Sequence, residues 1–167
     1  MRKPTTHQVS KAGQHFVAAE LNRRGANASV SDERRTTILA TNTERTRSVT
    51  ILVKTMTTHA WQASITQGRK RSEPTAEEGR FWIFVDLEQS PGQPEYYIVP
   101  EWWIENDIYM VHQRLLSEHG GHRAKTDEST HHAIERSRIE EWRDRWDLLG
   151  VFTDDRRASP REVESTD

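Results

Sequence analysis

Ser48-Val-Thr-Ile-Leu-Val-Lys-Thr55 and, further on, Arg80-Phe-Trp-Ile-Phe-Val-Asp-Leu87 decide the fold class of this 167-residue chain. Both are rich in β-branched and aromatic residues and read as strands. The second has a fully apolar centre, Phe81 to Val85, which suits a central strand buried on both faces. Working outward, Thr36 to Asn42 (TTILATN) reads as another strand, Asn27 to Val30 as a short one, and Thr43 to Thr46 as the turn between strands. Tyr96 to Val99 (YYIV) follows a turn over Ser90 to Pro94 and gives a short partner strand. Residues 66 to 79 are charged, contain Gly and Pro, lack periodicity, and read as a loop.

Helical spacing brackets these strands. Ser10 is the expected N-cap of a helix with Phe16, Val17, Ala18 and Leu21 on its apolar face, stopped at Gly25 behind Arg23-Arg24. Pro100 is expected to start a second helix, striped by Ile104, Ile108, Val111 and Leu115 and ended by Gly120-Gly121. After a polar link over His122 to Thr130, Ser137 and Glu140 form a capping-box pair. They predict a third helix, striped by Ile139, Trp142, Trp146 and Leu149 and closed by Gly150. The expected architecture is a single α/β domain. It has a mixed four- to five-stranded sheet flanked by an N-terminal helix, with two C-terminal helices on the other side. Residues 1–9 read as a polar tail, 10–150 as the domain (core motif region 11–100, C-terminal helices 101–150), and 151–167 as a disordered acidic tail.

Composition excludes several classes. The chain has no Cys, so it has no disulfide scaffold, thiol nucleophile or thiolate zinc site. The start, Met1 to His7, has no apolar stretch behind it, and no apolar run approaches the roughly 20 residues of a membrane helix. A soluble, cytoplasmic protein without a membrane partner is the expectation. Hydrophobic residues make up 33% and charged residues 30%, so the core is modest, yet six Trp argue against wholesale disorder. The net charge of −2 conceals an asymmetry. Residues 1–80 carry 14 Lys and Arg against 7 Asp and Glu, whereas residues 81–167 carry 10 against 19. Arg23, Arg24, Arg34, Arg35, Arg45, Arg47, Arg69, Lys70 and Arg71 are the candidate phosphate contacts. The competing reading is that the two halves neutralise each other in the fold.

Other chemistry is thin. There is no P-loop, no Gly-x-Ser-x-Gly elbow and no Gly-x-Gly-x-x-Gly fingerprint. His119, His122, His131 and His132 form a loose cluster, but a zinc or nickel site wants four well-spaced ligands, and the glycines between His119 and His122 loosen the spacing. They read as surface and helix-end histidines. Trp102-Trp103 and Trp142/Trp146 read as core packing rather than as base-stacking platforms.

One ordering of elements carries more. The helix Gly13-Gln14-His15-Phe16-Val17-Ala18-Ala19-Glu20-Leu21 is followed by the strand Ile38 to Asn42 and by Ile51-Leu52-Val53-Lys54-Thr55, with Trp61 beyond. Over about residues 11 to 100 this resembles the PD-(D/E)XK nuclease superfamily, the restriction-endonuclease-like fold shared with Holliday-junction resolvases. It is most similar to small uncharacterised bacterial proteins of that fold. In such relatives the helix reads Gly-Glu-x-x-Val-x-x-x-Leu, the next strand opens with Asp, and the following strand reads Glu/Gln-Val-Lys-Thr. The resemblance implies carboxylates that hold Mg²⁺, which polarises the scissile phosphate and activates water, and a lysine that steadies the developing charge. Here Gln14, Thr37 and Leu52 stand at the acidic positions and only Lys54 survives.

The implied reading is a nucleic-acid-binding protein of nuclease-like fold, without cofactor, that contacts DNA or RNA backbone and does not cleave it. The first alternative is a divergent Mg²⁺-dependent endonuclease using Asp86, Glu88 and Lys54, since strand alternation places Asp86 and Glu88 on one face. The second is a catalytically inert protein-interaction module, for which the acidic second half would meet a basic protein partner. None of these readings specifies an oligomeric state, and a homodimer is compatible with all three.

Overall fold

Nine residues of β-rich sequence, Ser48–Met56 (β3), run parallel to Arg80–Asp86 (β5), with Ile51 opposite Phe81 and Lys54 opposite Phe84. The computed structural model describes residues 3–30, 37–71, 79–88, 93–121 and 129–152. The main sheet has the order β1-β2-β3-β5-β6, where β1 is Asn27–Val30, β2 Thr37–Thr41 and β6 Glu95–Pro100. β1–β2, β2–β3 and β5–β6 are antiparallel, so the sheet is mixed. A second, two-stranded sheet pairs β4 (Ala60–Ser64) with β7 (His131–Glu135). Two α-helices, α1 (Thr6–Arg23) and α2 (Glu101–Glu118), complete one domain. Neither is long and apolar enough to cross a membrane.

β5 explains the layering. Phe81, Ile83 and Val85 point to one face of the sheet and Trp82 and Phe84 to the other, all buried. Both faces therefore need a cover. Val17, Ala18 and Leu21 of α1 cover the first, joined by Trp146, Leu149 and Val151. Ile104 and Ile108 of α2, Trp61 and Ala63 of β4, Ile134 of β7 and Ile139 cover the second. Trp61 anchors the small sheet: its indole N–H donates to the Val85 carbonyl at 2.9 Å, and its ring meets Phe84 and Tyr97 edge-on.

Several expectations change. α1 starts at Thr6, because Thr5 and Gln8 form a capping box ahead of Ser10; residues 6–9 are thus helix and not tail. Pro100 is the N-cap of α2 rather than its first helical residue. The third helix does not form. Residues 136–149 make three 3₁₀ turns, Arg136–Arg138, Glu140–Trp142 and Trp146–Leu149. Ile139 and Trp142 pack on the α2 side, whereas Trp146 and Leu149 pack on the α1 side, so no straight helix can serve both. The segment crosses the β6 edge, where Asp144 at φ 54° donates its backbone N–H to the Tyr96 carbonyl and Arg143 bridges Tyr97. Gly150 closes the last turn at φ 61°, as its position suggested. The expected turn at 90–94 lies in part, and most of the polar link and the tail beyond Thr153 lie, outside the described residues.

α1 reaches β3 through Gly13. A Cβ there would stand 1.8 Å from Thr55 Oγ1, a hydroxyl that is itself buried without a hydrogen-bond partner. Alanine gains about 1 kcal/mol of helix propensity, but overpacking costs about 1–3 kcal/mol. The 1.8 Å contact puts the overpacking at the upper end of that range, so we expect Gly13→Ala to lower stability by about 2 kcal/mol in urea unfolding. Thr55→Ala in the same chain should restore much of it, since alanine lacks the hydroxyl that the new methyl would meet. A Gly13→Ala protein as stable as the parent would refute this packing.

Candidate functional site

The face of β3 turned toward α2 carries Thr50, Leu52 and Lys54, and the register sets Thr37 of β2 directly opposite Leu52. These residues line a cleft of about 540 Å³. Its far wall is built by Thr66, Gln67 and Arg69, just after β4, and by Glu101 and Glu105 of α2; Arg80, Phe81 and Trp82 of β5 also contribute. Three of the four motif positions, Thr37, Leu52 and Lys54, thus meet at one place. Gln14 does not join them: it is buried in α1, which covers the opposite face of the sheet.

Lys54 is half-buried. Its ammonium stands 5.4 Å over the Trp82 ring and donates to the Gln62 carbonyl at 3.3 Å. It makes no ion pair with any described carboxylate. Burial pulls its pKa below the ordinary lysine value of 10.5, the effect expected of a cation short of a counter-charge.

The carboxylates of the cleft are engaged. Glu101 accepts from Arg80, through Nη2 at 3.3 Å and more closely through Nε, and from the Trp82 indole at 3.3 Å. Glu105 is buried and pairs with Arg71 Nε at 2.9 Å, while Arg69 Nε lies farther off at 3.9 Å. Burial raises the Glu105 pKa, and the Arg71 charge offsets part of that rise. Arg80, Glu101 and Glu105 were not legible as site residues. The one hint for Glu105 was a carboxylate on the apolar side of α2, between Ile104 and Ile108.

Asp86 lies on the same sheet face as Lys54, opposite Met56, but is fully buried. Its Oδ1 accepts from the Glu88 backbone N–H at 2.8 Å, and its Oδ2 accepts from Arg136 Nε at 3.0 Å and from Arg136 Nη2. Glu88 faces Arg136 at 3.8 Å and His59 at 3.4 Å. The Mg²⁺ implied by the resemblance would meet a hydroxyl and a leucine at Thr37 and Leu52, and at Asp86 a carboxylate already clamped by a guanidinium. These residues do not fit the ion.

The remaining cations divide between two faces. Arg23 and Arg24 grip Glu20 at 2.6 and 2.8 Å, and Arg24 also stacks 4.8 Å over Trp146. Arg47 donates to the Leu149 carbonyl at 2.8 Å, and Arg45 sits in the β2–β3 turn at φ 56°. Arg23, Arg24 and Arg47 belong to the α1 side, and Arg45 to the turn at the sheet's end. Arg69 lines the cleft, Arg71 pairs with Glu105 in its wall, Lys70 is an exposed residue between them in the chain, and Arg34 and Arg35 lie outside the described residues. His119 ends α2, His131 and His132 alternate on β7, and His132 is buried against Arg138; His122 lies outside the described residues. Among the described residues no group of three or more His, Asp or Glu is placed to hold a metal ion.

The Asp86–Arg136 pair should matter to stability. Removing the guanidinium leaves a fully buried carboxylate uncompensated, which costs about 3 kcal/mol. Arg136→Ala is expected to lose that much in denaturant unfolding, whereas Arg145→Ala, which breaks an exposed pair with Asp147, should lose less than about 1 kcal/mol. Equal effects would mean that Asp86 has no need of its partner.

Set beside known protein families, curated proteins and solved structures, the chain matches none.

Proposed function

We propose that the protein binds the sugar–phosphate backbone of DNA or RNA in the Lys54 cleft and does not cleave it. The observation that carries this reading is Lys54 itself, a half-buried ammonium at the floor of an open cleft with no carboxylate partner among the described residues. Such a group is stabilised by an incoming anion, and an ammonium-to-phosphate contact is among the stronger hydrogen bonds. A second support is the sheet surface that leads away from it. β1, β2 and β3 contain no Asp or Glu, and the residues they turn to this face include Asn27, Ser29, Thr37, Thr41, Ser48 and Thr50. Hydroxyl and amide side chains of this kind commonly contact phosphate oxygens.

The proposal narrows the expected contact set. Lys54 and Arg69 line the cleft and face the ligand; Arg23, Arg24 and Arg47 are on the α1 side of the sheet, and Arg45 is in the β2–β3 turn. Absence of cleavage follows from the chemistry at Thr37 and Leu52, which offer no hard anionic oxygen for a divalent cation.

One observation favours a protein-interaction module instead. Arg23, Arg24, Arg71, Arg80, Arg136, Arg138 and Arg143 all engage carboxylates of the same chain, which lowers the free positive charge.

Fluorescence anisotropy of labelled single-stranded and duplex probes, with Mn²⁺ and then chelator, separates the readings. A rise that is constant in time and reversed by salt is expected. Decay only with metal would restore the nuclease, and no rise on any probe would leave the interaction module. Lys54→Ala should weaken binding about tenfold or more, the worth of one charged hydrogen bond, while Lys54→Arg should retain most of it. As pH rises through the lowered Lys54 value, the ammonium loses its proton, so affinity should fall below pH 10.5 in the parent and hold in the arginine variant. On the acid side the raised Glu105 carboxyl takes up a proton first, adding net positive charge to the cleft. Binding should therefore strengthen on mild acidification, and Glu105→Gln should bind more tightly at neutral pH and lose that acid-side gain.

A further inference from the structure

A second cleft, of about 430 Å³, opens on the other side of Lys54. The start of α1, the end of β3 and the beginning of β4 form it, and Lys3, Ser10, Thr57, Thr58 and Gln62 line it together with Lys54. None of its lining residues is Asp or Glu. Lys54 is common to both clefts, and its contact with the Gln62 carbonyl makes it the sill between them. From Thr50 in the first cleft to Met56 in the second, β3 extends about 20 Å at roughly 3.3 Å per residue. Val53 and Thr55 line the second cleft from the face that α1 covers, so this cleft reaches round β3 toward α1.

We infer that the two clefts are one track, and that its ligand is a single unpaired polynucleotide strand whose backbone passes over Lys54 from one cleft into the other. This rests on the reading of the Lys54 cleft given above and specifies its substrate class. Three features select a single strand. Each cleft has the volume of a pocket for one drug-sized unit, the scale of a nucleotide rather than of stacked base pairs. Lys54 is half-buried, held against the Gln62 carbonyl of β4 and over the Trp82 ring, a position that one backbone reaches more readily than a paired helix. The track length matches the shortest single-strand sites, about four nucleotides.

Base identity should matter little. Phe81 and Trp82, the aromatic residues of the first cleft, are only 6% and 2% exposed, and the second cleft has no aromatic lining, so no ring is offered to a base. Contacts go to phosphate and sugar, unlike the stacking platforms of many single-strand binders.

The test compares labelled probes of about twelve nucleotides: a single strand, an abasic strand of the same length, and the corresponding duplex. The abasic strand should bind within about twofold of the ordinary strand, and the duplex at least about tenfold more weakly. With Lys3, Lys54 and Arg69 each neutralising a phosphate, the logarithm of the binding constant should fall with the logarithm of salt with a slope of about −2. Placing a carboxylate in either cleft, by Thr50→Glu or Thr58→Glu, should weaken single-strand binding about tenfold. Lys3→Glu lies on an exposed residue ahead of α1, so it keeps the test decisive if Thr58→Glu perturbs folding.

Duplex binding as tight as single-strand binding would overturn the inference. So would a Thr50→Glu effect without any effect of Thr58→Glu and Lys3→Glu, although the Lys54 cleft would then still stand as a nucleic-acid site. Failure of every probe would instead refute that site.

Discussion

The parallel pairing of β3 with β5 is the constraint on which the rest of this molecule depends. Two parallel neighbours cannot be joined by a tight turn, so the chain must leave the end of β3 and return to the start of β5 by a long excursion. That excursion contains β4 and the turn that carries Thr66, Gln67 and Arg69, and so it builds one wall of the cleft. The same pairing buries β5 on both faces, which demands α1 on one side and α2 with the small sheet on the other. The cleft exists because α2 and the small sheet cover the β5–β6 half of their face while Thr37, Thr50, Leu52 and Lys54 line a space beside them.

Charge follows from this arrangement. Among the described residues, basic groups of the first half meet acidic groups of the second, and most arginines find carboxylates across the fold or one turn away. Arg69 and Arg71 meet Glu105, Arg80 meets Glu101, and Arg136 returns fifty residues to clamp Asp86. The exposed pairs among them add little stability, unlike the pair at the buried Asp86. Their main effect is to remove the broad basic surface that the sequence alone would allow. Lys54 has no carboxylate partner among the described residues, because β-strand alternation points it into a cleft where the neighbouring groups are a carbonyl, an indole and hydroxyls.

Most of the main sheet was legible from residue patterns. Strands with unbroken β-branched or aromatic runs, such as Ile51 to Val53 and Phe81 to Val85, have few alternative conformations that bury them. β4 and β7 were not legible, because each places only two side chains inward: Trp61 and Ala63, and His132 and Ile134. A buried histidine breaks the apolar alternation that would mark β7 as a strand. The stripe Ile139, Trp142, Trp146 and Leu149 misled for the converse reason. Its spacing satisfies a helix, but periodicity does not record that two of these residues must reach one side of the sheet and two the other.

By itself, then, the sequence determined the strands of the main sheet and the position of the first two helices. Those properties are local, set by side-chain period and backbone preference. Only the tertiary structure decided that Gln14 lies across the sheet from Lys54, that Asp86 is clamped by Arg136, and that the basic residues divide between two faces. Each of these depends on contacts between residues far apart in the chain, and such contacts are fixed by packing and charge pairing rather than by any local pattern.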